Sequence, residues 1–137
     1  MRVERTYTTP LIDKLGVRPG FRVAIVGPVD PDGSLRELLS ERTDDVIVGQ
    51  PRADTDLVFL AADSQADLLR LADIRPRLRP KGAIWVVSRK GKAATLRDVE
   101  VMEAGRANDL VDNKVVSFSP THTALRLVIP VALRPRD

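Results

Sequence analysis

Apolar residues in this chain fall into short unbroken runs, and these runs are separated by segments with helical periodicity. Four runs contain hardly any polar residue, at 22–26, 45–49, 56–61 and 83–87. A strand that is covered on both faces gives this pattern, whereas a half-exposed strand alternates apolar and polar residues. We therefore predict four strands, with those at 22–26, 56–61 and 83–87 buried and the one at 45–49 shorter.

The segments around these strands predict helices. A short helix over 10–16 has Thr9 as its N-cap and Gly16 as its end. Ser34 and Glu37 form a capping box that opens a helix over 35–42. A helix from 65 is expected to break near Ile74 because Pro76 removes a backbone donor, and a fourth helix runs over 95–108. Leu69 and Val99 are predicted on the buried faces of these last two helices.

The final part of the sequence has a different pattern, because strands at 114–118 and 124–129 follow each other without an intervening helix. Strands joined by so short a loop pair antiparallel, since a parallel return needs a dozen or more residues. The chain is thus predicted to be an α/β protein with a three-layer, Rossmann-like open sheet. The sheet is mostly parallel and ends in a C-terminal antiparallel hairpin.

Length and composition narrow the class of protein. A chain of 137 residues suits one domain, here 1–137, and 43% apolar with 30% charged residues is typical of a soluble globular protein. Without cysteine, disulfides, thiolate catalysis and iron–sulfur clusters are excluded. No apolar run approaches the ~20 residues of a membrane span, and no signal-like apolar region follows the start, so we expect a cytoplasmic location.

The charge is nearly balanced, since 22 basic and 19 acidic residues leave +3. Basic residues cluster at 75–81, 89–92 and 134–136, which leaves an anionic partner open. Aromatic residues make up 4% of the chain, too few for the stacking surfaces of single-strand nucleic-acid binders. A nucleic-acid partner is therefore not expected.

Several stretches carry a resemblance to known proteins: K-L-G-V-R-P-G at 14–20, D-L-V-F-L at 56–60 and L-R-P-K-G-A-I-W-V at 78–86. With the order of elements, they resemble a shortened class I S-adenosylmethionine-dependent methyltransferase. Nearly the whole chain, including 110–115 and 125–128, is similar to a family of small bacterial proteins of unknown function that have this shortened methyltransferase-like fold. The resemblance implies the fold, suggests S-adenosylmethionine as a cofactor, and brings no established activity.

The turn after the first strand, 27–33, departs from the methyltransferase pattern E/D-x-G-x-G-x-G. Ile25 stands in place of the acid, Pro28 follows Gly27, and Gly33 is the other remaining glycine. The dinucleotide and phosphate-loop glycine patterns are not matched either. A cofactor could still use Gly27, Gly33 and the two carboxylates of the turn, Asp30 and Asp32, since ligands collect at the carboxyl ends of parallel strands.

The alternative is a rigid strand-to-helix turn, which the sequence favours. It would leave the space above the turn filled by neighbouring residues such as Val29 and Pro31 instead of open and polar. Asp63, after the third strand, is a further candidate for cofactor or substrate contact. Capping of the following helix by the adjacent Ser64 explains that position equally well.

Two further groups of residues could bind a ligand or catalyse a reaction. Arg89, Lys90 and Lys92 flank Gly91 after the fourth strand and are predicted to bind an anion, with a solvated basic loop as the alternative. His122 is the single histidine, and with Ser117, Ser119 and Asp112 near it in sequence a hydrolytic triad can be imagined. No G-x-S-x-G motif supports one, and no cluster of metal ligands is expected.

The sequence alone leaves the function unknown. A non-catalytic methyltransferase-like domain that binds a small anionic ligand or a protein partner fits best. An S-adenosylmethionine-dependent methyltransferase, or another nucleotide-using enzyme with a divergent cofactor turn, is the alternative. Neither catalytic residues nor an oligomeric state can be assigned from the sequence.

Overall fold

The computed structural model describes residues 10–135, and within this range six strands form one sheet. The strands are β1 (Val23–Val26), β2 (Val46–Val48), β3 (Thr55–Ala61), β4 (Leu78–Arg89), β5 (Val111–Ser117) and β6 (His122–Val128). Their order across the sheet is β2-β1-β3-β4-β6-β5. β1 therefore lies between β2 and β3.

Strands β1 to β4 are parallel to one another, and the last two strands form antiparallel pairs. β6 pairs antiparallel with both β4 and β5, with Trp85 opposite Arg126 and Lys114 opposite Arg126 on its two sides. The predicted mostly parallel sheet with a C-terminal antiparallel hairpin is confirmed. The carboxyl ends of β1, β2, β3 and β4 share one edge, which we call the carboxyl edge.

Five α-helices cover the sheet in the part of the chain from residue 10 to 135. They are α1 (Leu11–Lys14), α2 (Ser34–Leu39), α3 (Gln65–Leu68), α4 (Leu71–Ile74) and α5 (Asp98–Ala107). Short 3₁₀ turns lie at Arg75–Arg77, Gly91–Ala93 and Val131–Leu133. α1 ends before Gly16 as predicted, and its predicted cap Thr9 lies outside the described residues.

Apolar side chains pack on both faces of the sheet, as the unbroken apolar runs predict. Ala24, Val26 and Leu60 contribute to the layer that α3, α4 and α5 cover. Ile25 and Trp85 contribute to the opposite layer under α1 and α2. None of the helices described for residues 10–135 has the length and apolar character that crossing a membrane requires.

The helical segment after β3 ends at Ile74, as predicted, but an additional break exposes Leu69. α3 ends at Leu68 and α4 begins at Leu71, with Leu69 and Arg70 between them. Leu68 and Leu71 are buried, whereas the Leu69 residue is 75% exposed. The backbone bond from Ala72 to the carbonyl of Leu69 spans only three residues, so the tight turn rotates Leu69 away from the core.

The predicted start of α5 is wrong, and so is the prediction that Val99 lies on its buried face, whereas the predicted Leu96 and Met102 do pack in the core. The helix begins at Asp98, because the Thr95 hydroxyl donates to the Asp63 carbonyl instead of capping the helix. The buried face contains Val101 and Gly105, four residues apart, and Val99 is 43% exposed. Residues two apart on a helix point in very different directions, so Val99 and Val101 cannot share a face.

Gly82 lies in an irregular part of β4, where the sequence predicts a turn. Leu78 pairs with Thr55 and Ala83 with Leu57, so the six residues 78–83 of β4 lie opposite the three residues 55–57 of β3. The extra residues bulge toward β3, and a Cβ on Gly82 would lie 3.0 Å from the backbone oxygens of Thr55 and Asp56. Glycine is therefore required where the two strands approach this closely.

Candidate functional site

The side chain of Asp30 holds the turn after β1. Its carboxylate accepts hydrogen bonds from the Leu35 and Arg36 backbone N–H groups at 2.7 and 3.0 Å, and from Arg36 Nε at 3.1 Å. The side chain is only 4% exposed. Asp30 therefore caps α2, and the predicted cap Ser34 is instead the first residue of the helix, after Gly33. These bonds leave the Asp30 carboxylate little capacity for a ligand.

The other two predicted carboxylates have structural partners as well. Asp32 accepts a hydrogen bond from the Ser34 N–H at 3.0 Å, and this bond lowers the pKa of Asp32. Asp63 accepts from the Arg89 N–H at 2.9 Å and pairs with Arg89 Nε at 3.4 Å. Asp63 thus joins the end of β3 to the end of β4, and Arg89 has a counter-ion within the fold.

A cleft of about 280 Å³ opens at the carboxyl ends of β1 and β2, and we call it the Gly27 cleft. Its lining comes from the end of β1, the loop after β2 and the region of α4. The residues are Val26, Gly27, Gly49, Gln50, Pro51, Arg70, Asp73 and Ile74. This is the position where ligands of open α/β sheets bind.

Arg70 places a cation directly against the turn. Its Nη1 atom lies 3.6 Å from the position that a Cβ on Gly27 would occupy. Gly27 has φ +81°, and the same Cβ would lie 3.3 Å from Cβ of Ala61. Within residues 10–135 no carboxylate lies within ion-pairing distance of Arg70, although Asp73 lines the same cleft.

A second cleft, of about 210 Å³, lies on the other face of the sheet beside the same turn. Pro28, Pro31 and Val48 contribute to its walls, and Gly27 separates it from the Gly27 cleft. Val29 packs against the core under α1 and α2. The space beside the turn is therefore open on both faces, and the neighbours of Gly27 do not fill it.

The three predicted anion-binding cations lie at the carboxyl edge, yet they do not converge. Arg89 is paired with Asp63, and Lys90 Nζ donates to the Ser117 hydroxyl at 2.7 Å. Lys92 is exposed in the 3₁₀ turn Gly91–Ala93. A solvated basic loop describes this arrangement better than a preformed anion pocket.

The side chains suggested for a hydrolytic triad around His122 do not come together. His122 Nδ1 lies 2.8 Å from the Thr121 hydroxyl, and the Ser119 hydroxyl accepts from the His122 backbone N–H. Asp112 and Ser117 stand at opposite ends of β5, about 16 Å apart at the rise of an extended strand. Among residues 10–135, no group of three or more histidine, cysteine or acidic side chains could hold a metal ion.

Comparison with known proteins defines the family. A family model described as a protein of unknown function (DUF3052) matches residues 12–131, which is most of the chain. The chain belongs to the DUF3052 family. No curated protein matches the DUF3052 sequence with significance. The predicted membership of a family of unknown function with a methyltransferase-like fold is thus confirmed.

Solved structures of methyltransferases share the fold of this DUF3052 protein. An S-adenosylmethionine-dependent methyltransferase from Aquifex aeolicus has a TM-score of 0.67 at 12% identity, covering 87% of this chain and 88% of its own. A Burkholderia thailandensis 1,6-didemethyltoxoflavin-N1-methyltransferase has 0.60 at 14%, covering 85% and 73%. A chain from the complex of the Haloferax volcanii Trm112 methyltransferase activator with a methyltransferase has 0.61 at 13%, covering 87% and 86%. Identities this low establish the fold alone.

Arg70 is the site residue that sequence reasoning misses. The periodicity predicts one continuous helix through this region, which would place Arg70 on its solvent face. The break between α3 and α4 turns the arginine toward Gly27 instead. No glycine or proline marks that break, so the sequence gives no local signal for it.

Proposed function

We propose that this chain is a single, non-catalytic methyltransferase-like domain that binds a small anionic ligand in the Gly27 cleft. The main observation in support is that the guanidinium of Arg70 lies beside Gly27. A guanidinium presents several donors in one plane and matches the oxygens of a carboxylate or phosphate. Glycine at this position lets a ligand approach the backbone closely.

The structural hydrogen bonds that hold Asp30 and Asp63 support a binding role over a catalytic one. General acid–base and nucleophilic mechanisms need a side chain that can reach the substrate and exchange a proton or form a bond. Asp30 caps α2, and Asp63 joins two strand ends. Using either of them in catalysis would require breaking hydrogen bonds that hold the fold.

The size of the cleft points to a small ligand. Sites for drug-sized molecules typically occupy about 300–1,000 Å³. The Gly27 cleft, at about 280 Å³, lies just below that range. A compact carboxylate or phosphate ester fits this volume better than a complete nucleoside cofactor does.

An S-adenosylmethionine-dependent enzyme is the alternative function, and the shared fold favours it. The Burkholderia thailandensis neighbour was solved with bound S-adenosylhomocysteine. In this chain the ligand would be held unconventionally, through Asp30, Asp32 and Asp63. A protein partner is a further alternative, supported by the neighbour that comes from an activator complex.

Isothermal titration calorimetry separates these functions. Citrate and inorganic phosphate serve as small anions, and S-adenosylmethionine and S-adenosylhomocysteine as the cofactor probes. We expect heat from at least one anion, with affinity falling about tenfold or more in Arg70→Gln, because a hydrogen bond to a charged group contributes about 1.5–3 kcal/mol. Arg106→Gln is the matched control. It also replaces one arginine by glutamine, but Arg106 lies on α5 and does not line the Gly27 cleft, so the affinity should be unchanged.

Two results would contradict the proposal. Micromolar binding of S-adenosylmethionine with no effect of citrate or phosphate would favour the enzyme. No heat from any of the four probes at millimolar concentration would remove the small-ligand function and favour a protein partner. Asp30→Ala is unsuitable as a binding test on its own, because it removes the cap of α2.

A further inference from the structure

A third cleft, of about 510 Å³, lies near the amino ends of β1, β3 and β4, away from the Gly27 cleft, and we call it the amino-edge cleft. It lies on the face of the sheet that α1 and α2 cover. Its lining combines a few apolar surfaces with a concentration of cations. The residues are Gly16, Arg18, Phe21, Asp56, Leu57, Arg79, Lys81 and Arg126.

The charge of this cleft is far from balanced. Its described lining contains four cations and one carboxylate, which leaves a local charge of +3. The whole chain has a net charge of only +3, so one cavity holds an excess equal to that of the entire protein. The single acid, Asp56, already accepts from the Arg22 N–H at 2.8 Å and pairs with Arg79 Nε at 3.0 Å.

Arg126 is the cation with the least favourable surroundings. It is half-buried on β6, directly opposite Lys114 of β5, and like charges in a cross-strand pair repel each other. Burial lowers the pKa of Arg126, and the nearby Arg134 lowers it further. Among residues 10–135 no carboxylate lies within ion-pairing distance of Arg126.

The cations continue into an adjoining cleft of about 260 Å³, which shares Arg79 and Lys81 and adds Arg134. Because uncompensated, partly buried charge is costly, an external anion would relieve the repulsion.

We infer that the amino-edge cleft binds a phosphorylated small molecule, with Lys81 and Arg126 contacting its phosphate oxygens. A volume of about 510 Å³ is within the range of small-ligand sites. Phe21 and Leu57 offer apolar surface for the organic part of the ligand. This site is separate from the Gly27 cleft and does not depend on the function proposed there.

The test uses sodium tripolyphosphate and ATP as probes of the full chain, by calorimetry at low salt and at about 150 mM salt. We expect both probes to bind, with affinity about tenfold or more weaker in Arg126→Gln and in Lys81→Gln. Lys92→Gln removes one charge at the carboxyl edge and should leave binding unchanged. The titrations are repeated in Arg70→Gln, which lacks the proposed anion contact of the Gly27 cleft, and both probes should still bind the amino-edge cleft there, so a failure at one cleft is distinguishable from a failure at the other.

Four outcomes would overturn the inference. The first three are no binding of either probe at millimolar concentration and low salt, an equal loss of affinity in Lys92→Gln, and binding of a 20-nucleotide single strand with no binding of tripolyphosphate. The second would mean non-specific attraction to a basic surface, and the third a nucleic-acid site. Far-ultraviolet circular dichroism of each variant checks that the fold is retained, and ATP binding without tripolyphosphate binding would contradict the phosphate contacts.

Discussion

Replacing Asp30 by alanine tests whether this residue supports the fold or binds a ligand. The substitution removes the acceptor of two backbone N–H groups at the start of α2. Loss of a helix cap costs about 0.5–2 kcal/mol, and a partly buried donor left without a partner adds about 1–3 kcal/mol. The Arg36 side chain is half exposed, so its ion pair adds little. We expect the free energy of unfolding to fall by about 2 kcal/mol.

Urea denaturation measures this change, and Trp85 is a convenient probe because it is buried and is the single tryptophan of the chain. With a slope near 2 kcal/mol per molar urea, the midpoint should fall by about 1 M. Asp32→Ala is the matched control, since Asp32 accepts one exposed backbone hydrogen bond, and its free energy of unfolding should change by no more than about 0.5 kcal/mol. Equal midpoints for the two variants would refute the capping role of Asp30.

Three further predictions concern stability. Trp85→Phe should lower the free energy of unfolding by about 1–3 kcal/mol, measured by circular dichroism, because the buried Leu15 carbonyl loses its indole donor at 3.0 Å; an unchanged value would contradict this. Gly27→Ala should cost about 1–2 kcal/mol at φ +81°, and a thermal midpoint equal to that of the native chain would show that the turn relaxes. Hydrogen bonding from Arg22 lowers the pKa of Asp45, so the stability from this pair is present above the ordinary pKa of about 3.8 and is lost as pH falls below it. Urea midpoints between pH 6 and 3 should therefore fall less steeply in Asp45→Asn, and an identical slope would exclude the effect.

The fold could be predicted from the sequence because its strongest signals are long apolar runs and short loops. Residues 56–61 and 83–87 are apolar enough to be recognised as buried strands without tertiary information. The hairpin follows from the spacing of the last two strands alone. Boundaries were less predictable where a tertiary contact replaces a local one, as when the Thr95 hydroxyl bonds to the Asp63 carbonyl instead of capping α5.

The candidate site was only partly predictable for a related reason. Gly27 and the open turn follow from the strand pattern, yet the role of Asp30 depends on its distance from two N–H groups five and six residues later. Arg70 reaches Gly27 through a helix break that has no sequence signal. The cations of the amino-edge cleft come from three separate segments of the chain, so their proximity depends on the sheet order and not on any local motif.

A ¹H–¹⁵N correlation spectrum recorded during separate titrations with citrate, inorganic phosphate and S-adenosylhomocysteine tests the central claim most directly. We expect that a small anion shifts the backbone signals of Gly27, Gly49 and Arg70, and that Arg70→Gln abolishes these shifts while Arg106→Gln retains them. Saturable shifts of the same signals by S-adenosylhomocysteine, with none from citrate or phosphate, would contradict it.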